Sequence, residues 1–450
     1  MTAISEVTTV AAPAPRSASP RPGIAVAVRV ELAKLSGQWP LRITLGLCVI
    51  VPAAFALVMR AASSRPADTL FGRWAGTSGF ATSLTVLNWA AAYGAPLLAG
   101  LVAGDIFASE DRHGTWKTIL TRSTTRTELF AGKAIAATLG VWFAFAVIGV
   151  VSLLAGLAAI GSAPLVGLSG QLIGTGPALA LVAASWALTL LATTTFVALG
   201  LLLSIASRSG AIGVIGPLLV AIVLQLLEAI ASGQIVRSLL PSTPFDAWHA
   251  LFTGPVHAGP IGQGIATSLG YTLAFGGAAW WLLRRRDFAG TDVPAARRRT
   301  AVRIGAAVAT ISVLLLALSG VGPTALTHTQ LETSIAATFG DLAEVRYQWQ
   351  AGAVADTTIP WHAVCTRGGT PITGTTGSGK GAGDDWTCIV TDQRASDGAG
   401  PTTLDVTLKP NGCYQVQSSP GAVGALYLTN QRGRSFINPL YAFDGCFGTP

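Results

Sequence analysis

Residues 105–133 form a compact charged island between two long apolar stretches, running from Asp105 through Glu110, Asp111, Arg112 and His113 to Lys133. Acidic Glu110 and Asp111 come early and basic Lys117 and Arg122 late, which suits a short helix whose dipole favours negative charge at its start and positive charge at its end. Such a helix suits mechanics better than reaction chemistry. Pushed by a partner, a rigid helix must carry both flanking segments with it. An ordinary loop carrying topogenic positive charge would have the same composition, so the two readings stand side by side.

The remaining chemistry-bearing groups point away from catalysis. Gly374–Gly381 nearly matches the phosphate-binding loop G-x-x-x-x-G-K-[ST], but Gly381 lacks the hydroxyl that would ligate magnesium, and no apolar strand precedes it. An ATPase of the chain's own is therefore not expected. His113, His249, His257, His328 and His362 are scattered without metal-ligand spacing, so no metal is expected. No G-x-S-x-G or H-E-x-x-H sequence is present, and Asp384-Asp385 sit in a Gly-rich stretch that reads as solvated surface. No catalytic residue is assigned. Glu228 is the only formal charge between Arg208 and Arg237, inside an apolar run. An ionisable group at membrane depth either lines a substrate pathway or reaches the interface, and both readings remain open.

The elements that hold these groups are mostly apolar. With 51% hydrophobic and 11% charged residues and a mean hydropathy of +0.55, the chain reads as a polytopic α-helical membrane protein. Between Ala134 and Ser207 there is no Asp, Glu, Lys or Arg, room for two crossings at about 20 residues each. Residues 1–22 read as a disordered cytosolic tail with no cleavable signal peptide, and 23–39 as an amphipathic helix along the inner interface. Six spans are expected within 40–285, near 41–61, 83–106, 129–157, 178–205, 211–231 and 265–283. Residues 232–264, broken by Pro241, Pro244, Pro255 and Pro260, read as short outer re-entrant or interfacial helices, with a plain outer loop carrying an aromatic belt as the alternative. A basic cytosolic linker, 286–301, leads to a seventh span, 302–322.

Charge orients the chain. Residues 1–322 carry 22 Lys+Arg against 11 Asp+Glu, whereas 323–450 carry 7 against 10. Placing the amino terminus inside puts 18 Lys+Arg on inner segments and only Arg60, Arg65, Arg73 and Arg237 on outer ones. The basic balance reflects orientation and contact with anionic lipid, and no nucleic-acid partner is expected. Residues 323–450 would then be extracytoplasmic. Their four cysteines, Cys365, Cys388, Cys413 and Cys446, suggest disulfides in an oxidising compartment. Three pairings are possible, and Cys365–Cys388 with Cys413–Cys446 closes the shorter loops. A small disulfide-stapled β-rich domain is expected. Its strand-like runs are 344–349, 387–391, 403–408, 413–417 and 425–429, with a short helix at 330–343 before them.

With that topology, the island resembles the intracellular loop of the ABC-2 type permease family, the membrane subunits of bacterial ABC exporters. Glu110, Gly114-Thr115, Ile119-Leu120, Thr121-Arg122, Arg126 and Gly132-Lys133 carry the likeness. The resemblance covers about 23–285 and implies a six-span core in which the loop docks on a separate ATP-binding-cassette subunit. It makes Glu110, Gly114, Thr115, Lys117, Leu120, Arg122 and Arg126 the expected coupling residues. It further implies a second permease copy or paralogue, ATP-Mg held only by the partner ATPase, and a multi-pass place in the bacterial plasma membrane. The expected activity is efflux of a drug, lipid or other amphiphile. A non-transporting receptor whose outer domain binds a ligand is the alternative.

Overall fold

The computed structural model describes residues 23–446 except 63–70, 117–124, 169, 231–240, 242, 254–255, 257, 287–325, 353–359, 373, 382, 393–400, 409–412, 419, 432 and 434. The expected tail 1–22, the seventh span 302–322 and, apart from Arg286, the linker 286–301 lie outside the described residues.

Helix α1 (Ile24–Gly37) runs into α2 (Trp39–Ala61), which Pro40 starts at a position where its missing N–H costs nothing. Helix α3 (Gly79–Trp89) continues through a π-turn at Ala90–Gly94 into α4 (Ala95–Ala103). A π-turn releases a carbonyl, which would be costly at membrane depth. The Gln225 side chain donates to the Ala92 carbonyl at 3.0 Å and removes that cost. After the short α5 (Ala108–His113) come α6 (Arg126–Ala159), α7 (Thr175–Ser207), α8 (Gly210–Ile230) and α9 (Ala258–Arg285).

Among the described residues, four stretches are long and apolar enough to cross a membrane: 39–61, 79–113, 126–159 and 175–207. The expected fifth and sixth spans fall on the helices α8 and α9, which are not among those four. Hydroxyls hold the bundle where no hydrophobic force acts between helices. Ser83 and Ser152 pair at 2.9 Å, and Trp186 Nε1 donates to Ser83 Oγ at 3.1 Å.

The helices alternate in direction, so the bundle has two distinct ends. The starts of α1 and α6 and the finishes of α7 and α9 gather at one. The other carries the hairpin of β1 (Leu165–Val166) and β2 (Leu172–Ile173). A 3₁₀ helix at Thr243–Phe252 also lies there, burying Phe245, Trp248 and Phe252. It lies within the segment 232–264 expected to be re-entrant or interfacial, whose last residues, 258–264, instead begin α9.

The carboxy-terminal region begins with α10 (His328–Ala351). Here the expectation of a helix only at 330–343 and a strand at 344–349 is corrected. A capping box between Thr327 and Gln330 starts α10, and Gly352 in the left-handed region ends it. Leu331, Ile335, Phe339, Leu342 and Val345 form one buried stripe at helical spacing, so Val345 belongs to that stripe and not to a strand.

The stripe packs on an antiparallel sheet of β3 (Trp361–Arg367), β4 (Gly383–Asp392), β5 (Thr402–Leu408), β6 (Cys413–Ser418) and β9 (Ala442–Cys446), in the order β3-β4-β5-β6-β9. In β5, Leu404, Val406 and Leu408 are buried while Asp405 is exposed, the expected alternation. Strands β7 (Tyr427–Thr429) and β8 (Ser435–Ile437) form a separate hairpin. The Cys365–Cys388 disulfide joins a directly paired position of β3 and β4. Cys413 faces Cys446 across the β6–β9 register and is itself disulfide-bonded. Asp384 and Asp385 lie within β4, a correction to their expected loop, and Arg367 Nε donates to Asp385 at 2.9 Å.

Candidate functional site

The charged island folds around buried charge. Thr125 caps α6 by accepting from the Glu128 amide at 3.2 Å, while Glu128 accepts from the Thr125 amide at 2.8 Å. That start sets Lys133 two turns along, on the face turned into the bundle, where it is 1% exposed. Its neighbour Gly132 allows α1 to close on this face: a Cβ there would lie 2.6 Å from the Ala27 Cβ.

Lys133 Nζ meets Glu110 at 3.0 Å and Glu31 at 3.1 Å, and donates to the Ile106 carbonyl at 3.2 Å. Lys34 meets the same two carboxylates, Glu31 at 3.1 Å and Glu110 at 3.0 Å. Thr115 donates its hydroxyl to Glu110. The result is a ring of two carboxylates and two ammonium groups, neutral overall, with Glu31 and Glu110 only 6% and 7% exposed. Burial pulls the Lys34 ammonium down, but Glu31 and Glu110 outweigh it and hold its pKa above the ordinary lysine value.

Adjacent contacts bind α5 to other helices. Arg286, just past α9, pairs with both oxygens of Asp111, and Trp116 Nε1 donates to Asp111 at 2.8 Å. The Arg286 guanidinium also lies 5.5 Å from the centre of the Trp116 ring. Arg126 donates to the Arg284 carbonyl at 2.7 Å and to the Arg286 carbonyl at 3.0 Å, satisfying the carboxy-terminal carbonyls of α9. The Ala108 amide donates to Ser204 Oγ at the end of α7. Helix α5 is therefore fastened to α1, α6, α7 and the end of α9. Arg112, His113 and Gly114 remain exposed, and Gly114 closes α5 with φ +66°.

Among the expected coupling residues, Glu110 and Thr115 point inward and bond each other, Gly114 lies on the exposed turn, and Arg126 caps α9. Lys117, Leu120 and Arg122 lie outside the described residues. Glu228 is on α8, with its side chain likewise outside them. Glu31, Lys34 and Arg286 join the site from outside the charged island 105–133. Their signal was the mixture of opposite charges on an otherwise apolar helix end, which asks for partners.

The near phosphate loop is folded into the carboxy-terminal region. The Ser378 amide donates to the Cys365 carbonyl at 3.0 Å and the Gly381 amide to the Leu326 carbonyl at 2.9 Å. These two amides, which a phosphate-binding loop would turn toward its ligand, are engaged by the domain itself.

Residues 27–208, from α1 to the end of α7, match the family model described as ABC-2 family transporter protein. The likeness to ABC-2 type permeases thus holds over this region, which contains the ionic ring and the whole of α5. Members of that family are membrane components and not themselves enzymes, and the receptor alternative gains no support from the match. No curated protein matches the chain.

Proposed function

We propose that the chain is the permease subunit of an ABC exporter, working as a dimer, with itself or with a related permease, alongside two ATPase subunits that hold ATP-Mg. The observation that carries this reading is the fastening of α5. A lever must be stiff on the side facing the spans and accessible on the side facing the motor. The ring of Glu31, Lys34, Glu110 and Lys133 provides the first property, and the Arg112–Gly114 turn provides the second. Force applied at that turn would pass into α6 through Lys133, α1 through Glu31 and the end of α9 through Asp111–Arg286.

Glu110 and Thr115 then act in coupling as positioning residues. Arg112, His113 and Gly114 form the docking surface, and Lys117, Leu120 and Arg122 are assigned to it with them. The positive-inside count supports a cytosolic position for this end of the bundle, and the disulfide supports an extracytoplasmic position for the other. Efflux of an amphiphile, with Glu228 taking part in the substrate pathway, completes the reading.

The test is co-purification with the ATPase subunit. Changing Arg112→Glu together with His113→Glu, at exposed positions, is expected to release the ATPase while leaving the permease folded. An intact complex carrying both changes, and Arg122→Glu besides, would refute docking at this loop.

A further inference from the structure

We infer that the carboxy-terminal region holds a binding site for an amphiphilic organic cation, in a cavity of about 1180 Å³ between α10 and β3. The cavity arises from sequence. Along one face α10 presents Ala336, Ala337, Gly340 and Ala343, which leave space where larger side chains would have filled it. Gly340 also allows the Trp361 ring to lean on the helix, since a Cβ there would lie 2.9 Å from its edge.

The volume suits a drug-sized molecule, and the walls combine apolar surface with a few polar groups, the usual make-up of a small-molecule site. Two features select the ligand's charge. Glu332, Asp341 and Glu344 all line the cavity, and among the described residues the one guanidinium there, Arg346, donates to the Val423 carbonyl at 3.2 Å. Trp361 and Tyr347 supply aromatic faces, which attract a cation that the carboxylates also favour. A delocalised or quaternary cation with an apolar body would satisfy both, because it asks for few hydrogen bonds that the alanine-rich wall cannot give. An anion of equal size would meet net negative charge.

The site stands at the end of the bundle opposite the ionic ring. Asp341 packs on the backbone of Gly170 in the β1–β2 hairpin, and the Trp349 ring meets Trp74 with centroids 4.9 Å apart. Ligand bound here would sit beside the outer mouth of the spans. The inference concerns binding alone and does not depend on ATPase docking.

Fluorescence polarisation of the full chain in detergent would compare two xanthene dyes, cationic rhodamine 6G and anionic fluorescein. Saturable binding of rhodamine 6G, at least tenfold tighter than fluorescein, is expected. Asp341→Asn with Glu344→Gln should weaken rhodamine 6G at least tenfold, and Ala337→Leu, which takes up part of the cavity without touching charge, should weaken it also. A non-reducing gel showing the intact Cys365–Cys388 bond verifies that each variant is folded. Equal binding of the two dyes would overturn the site, as would unchanged rhodamine 6G binding in a folded Ala337→Leu variant.

Discussion

Replacing Lys133 by methionine keeps the length of the side chain and removes the one fully buried cation of the ionic ring. Glu31 and Glu110 would then be left inside the protein with Lys34 as their remaining ammonium partner, and that group is half exposed. Removing one partner of a buried ion pair costs about 3–5 kcal/mol, because the charge left behind stays desolvated. Lys34 still screens both carboxylates, so the lower end applies, about 3 kcal/mol. Lys34→Met removes a cation that water already solvates and should cost about 1 kcal/mol or less. At roughly 2–4 °C per kcal/mol for a unit of about 150–250 residues, the size class of the helical bundle, the expected falls in its apparent Tm are roughly 6–12 °C and at most roughly 4 °C. Tryptophan-monitored melting of the purified chain in lipid nanodiscs reads both. Adding Glu31→Gln and Glu110→Gln to Lys133→Met should recover at least half of the loss, since no buried charge then lacks a partner. Equal falls for the two lysine variants, or no recovery in the triple variant, would refute the view that Lys133 neutralises a buried ring.

Gly132→Ala should separate α1 from α6 and lower stability by about 1–3 kcal/mol through overpacking. Ala27→Gly in the same chain should restore it, as measured by protease protection of residues 24–37. Tyr414 is wholly buried, its hydroxyl meeting Ser334 at 2.8 Å and Thr338 at 3.1 Å, and burial pushes its pKa up to about 12. A group raised on folding contributes stability that is full below its unfolded value near 10 and is lost as pH rises through the folded value, here about 3 kcal/mol between pH 10 and 12. Tyr414→Phe should flatten that alkaline loss in melts taken across pH 9–12, while lowering neutral-pH stability by about 1–3 kcal/mol through the stranded hydroxyls. Cys365→Ser opens a loop with a sequence separation of 23 and should cost about 3 kcal/mol, seen as earlier melting of the carboxy-terminal region.

The apolar spans were legible because membrane burial leaves a long, charge-free record such as 134–207, independent of what each helix touches. Strand β5 was legible for a related reason: Leu404, Val406 and Leu408 alternate with Thr403, Asp405 and Thr407 over a half-buried sheet. The stretch 344–349 misled by the same rule. Its alternation was incidental, and the capping box at Thr327 with the stripe from Leu331 to Val345 decided for helix. Strand β3 gave no comparable signal, since Trp361–Arg367 has three consecutive buried residues, Ala363 to Cys365, in place of an alternation.

At the site, the loop and its ends could be read from charge, but not which charges would be buried. Glu110, an expected coupling residue, is buried against Lys133. Lys34 and Glu110 stand 76 positions apart, and their meeting depends on α1 closing over Gly132, a packing event that no local pattern encodes. Pairing a glycine with a lysine at the start of a span was the visible trace of that closure.

Cross-linking from the Arg112–Gly114 turn decides whether α5 is where a motor subunit pushes. In a Cys48→Ser chain assembled with its ATPase subunit, His113→Cys should form a short-span cross-link to that subunit, and Ser162→Cys, at the opposite end of the bundle, should form none. A complex that cross-links from position 162 and not from 113 would contradict the proposed docking, as would a stable complex silent at both.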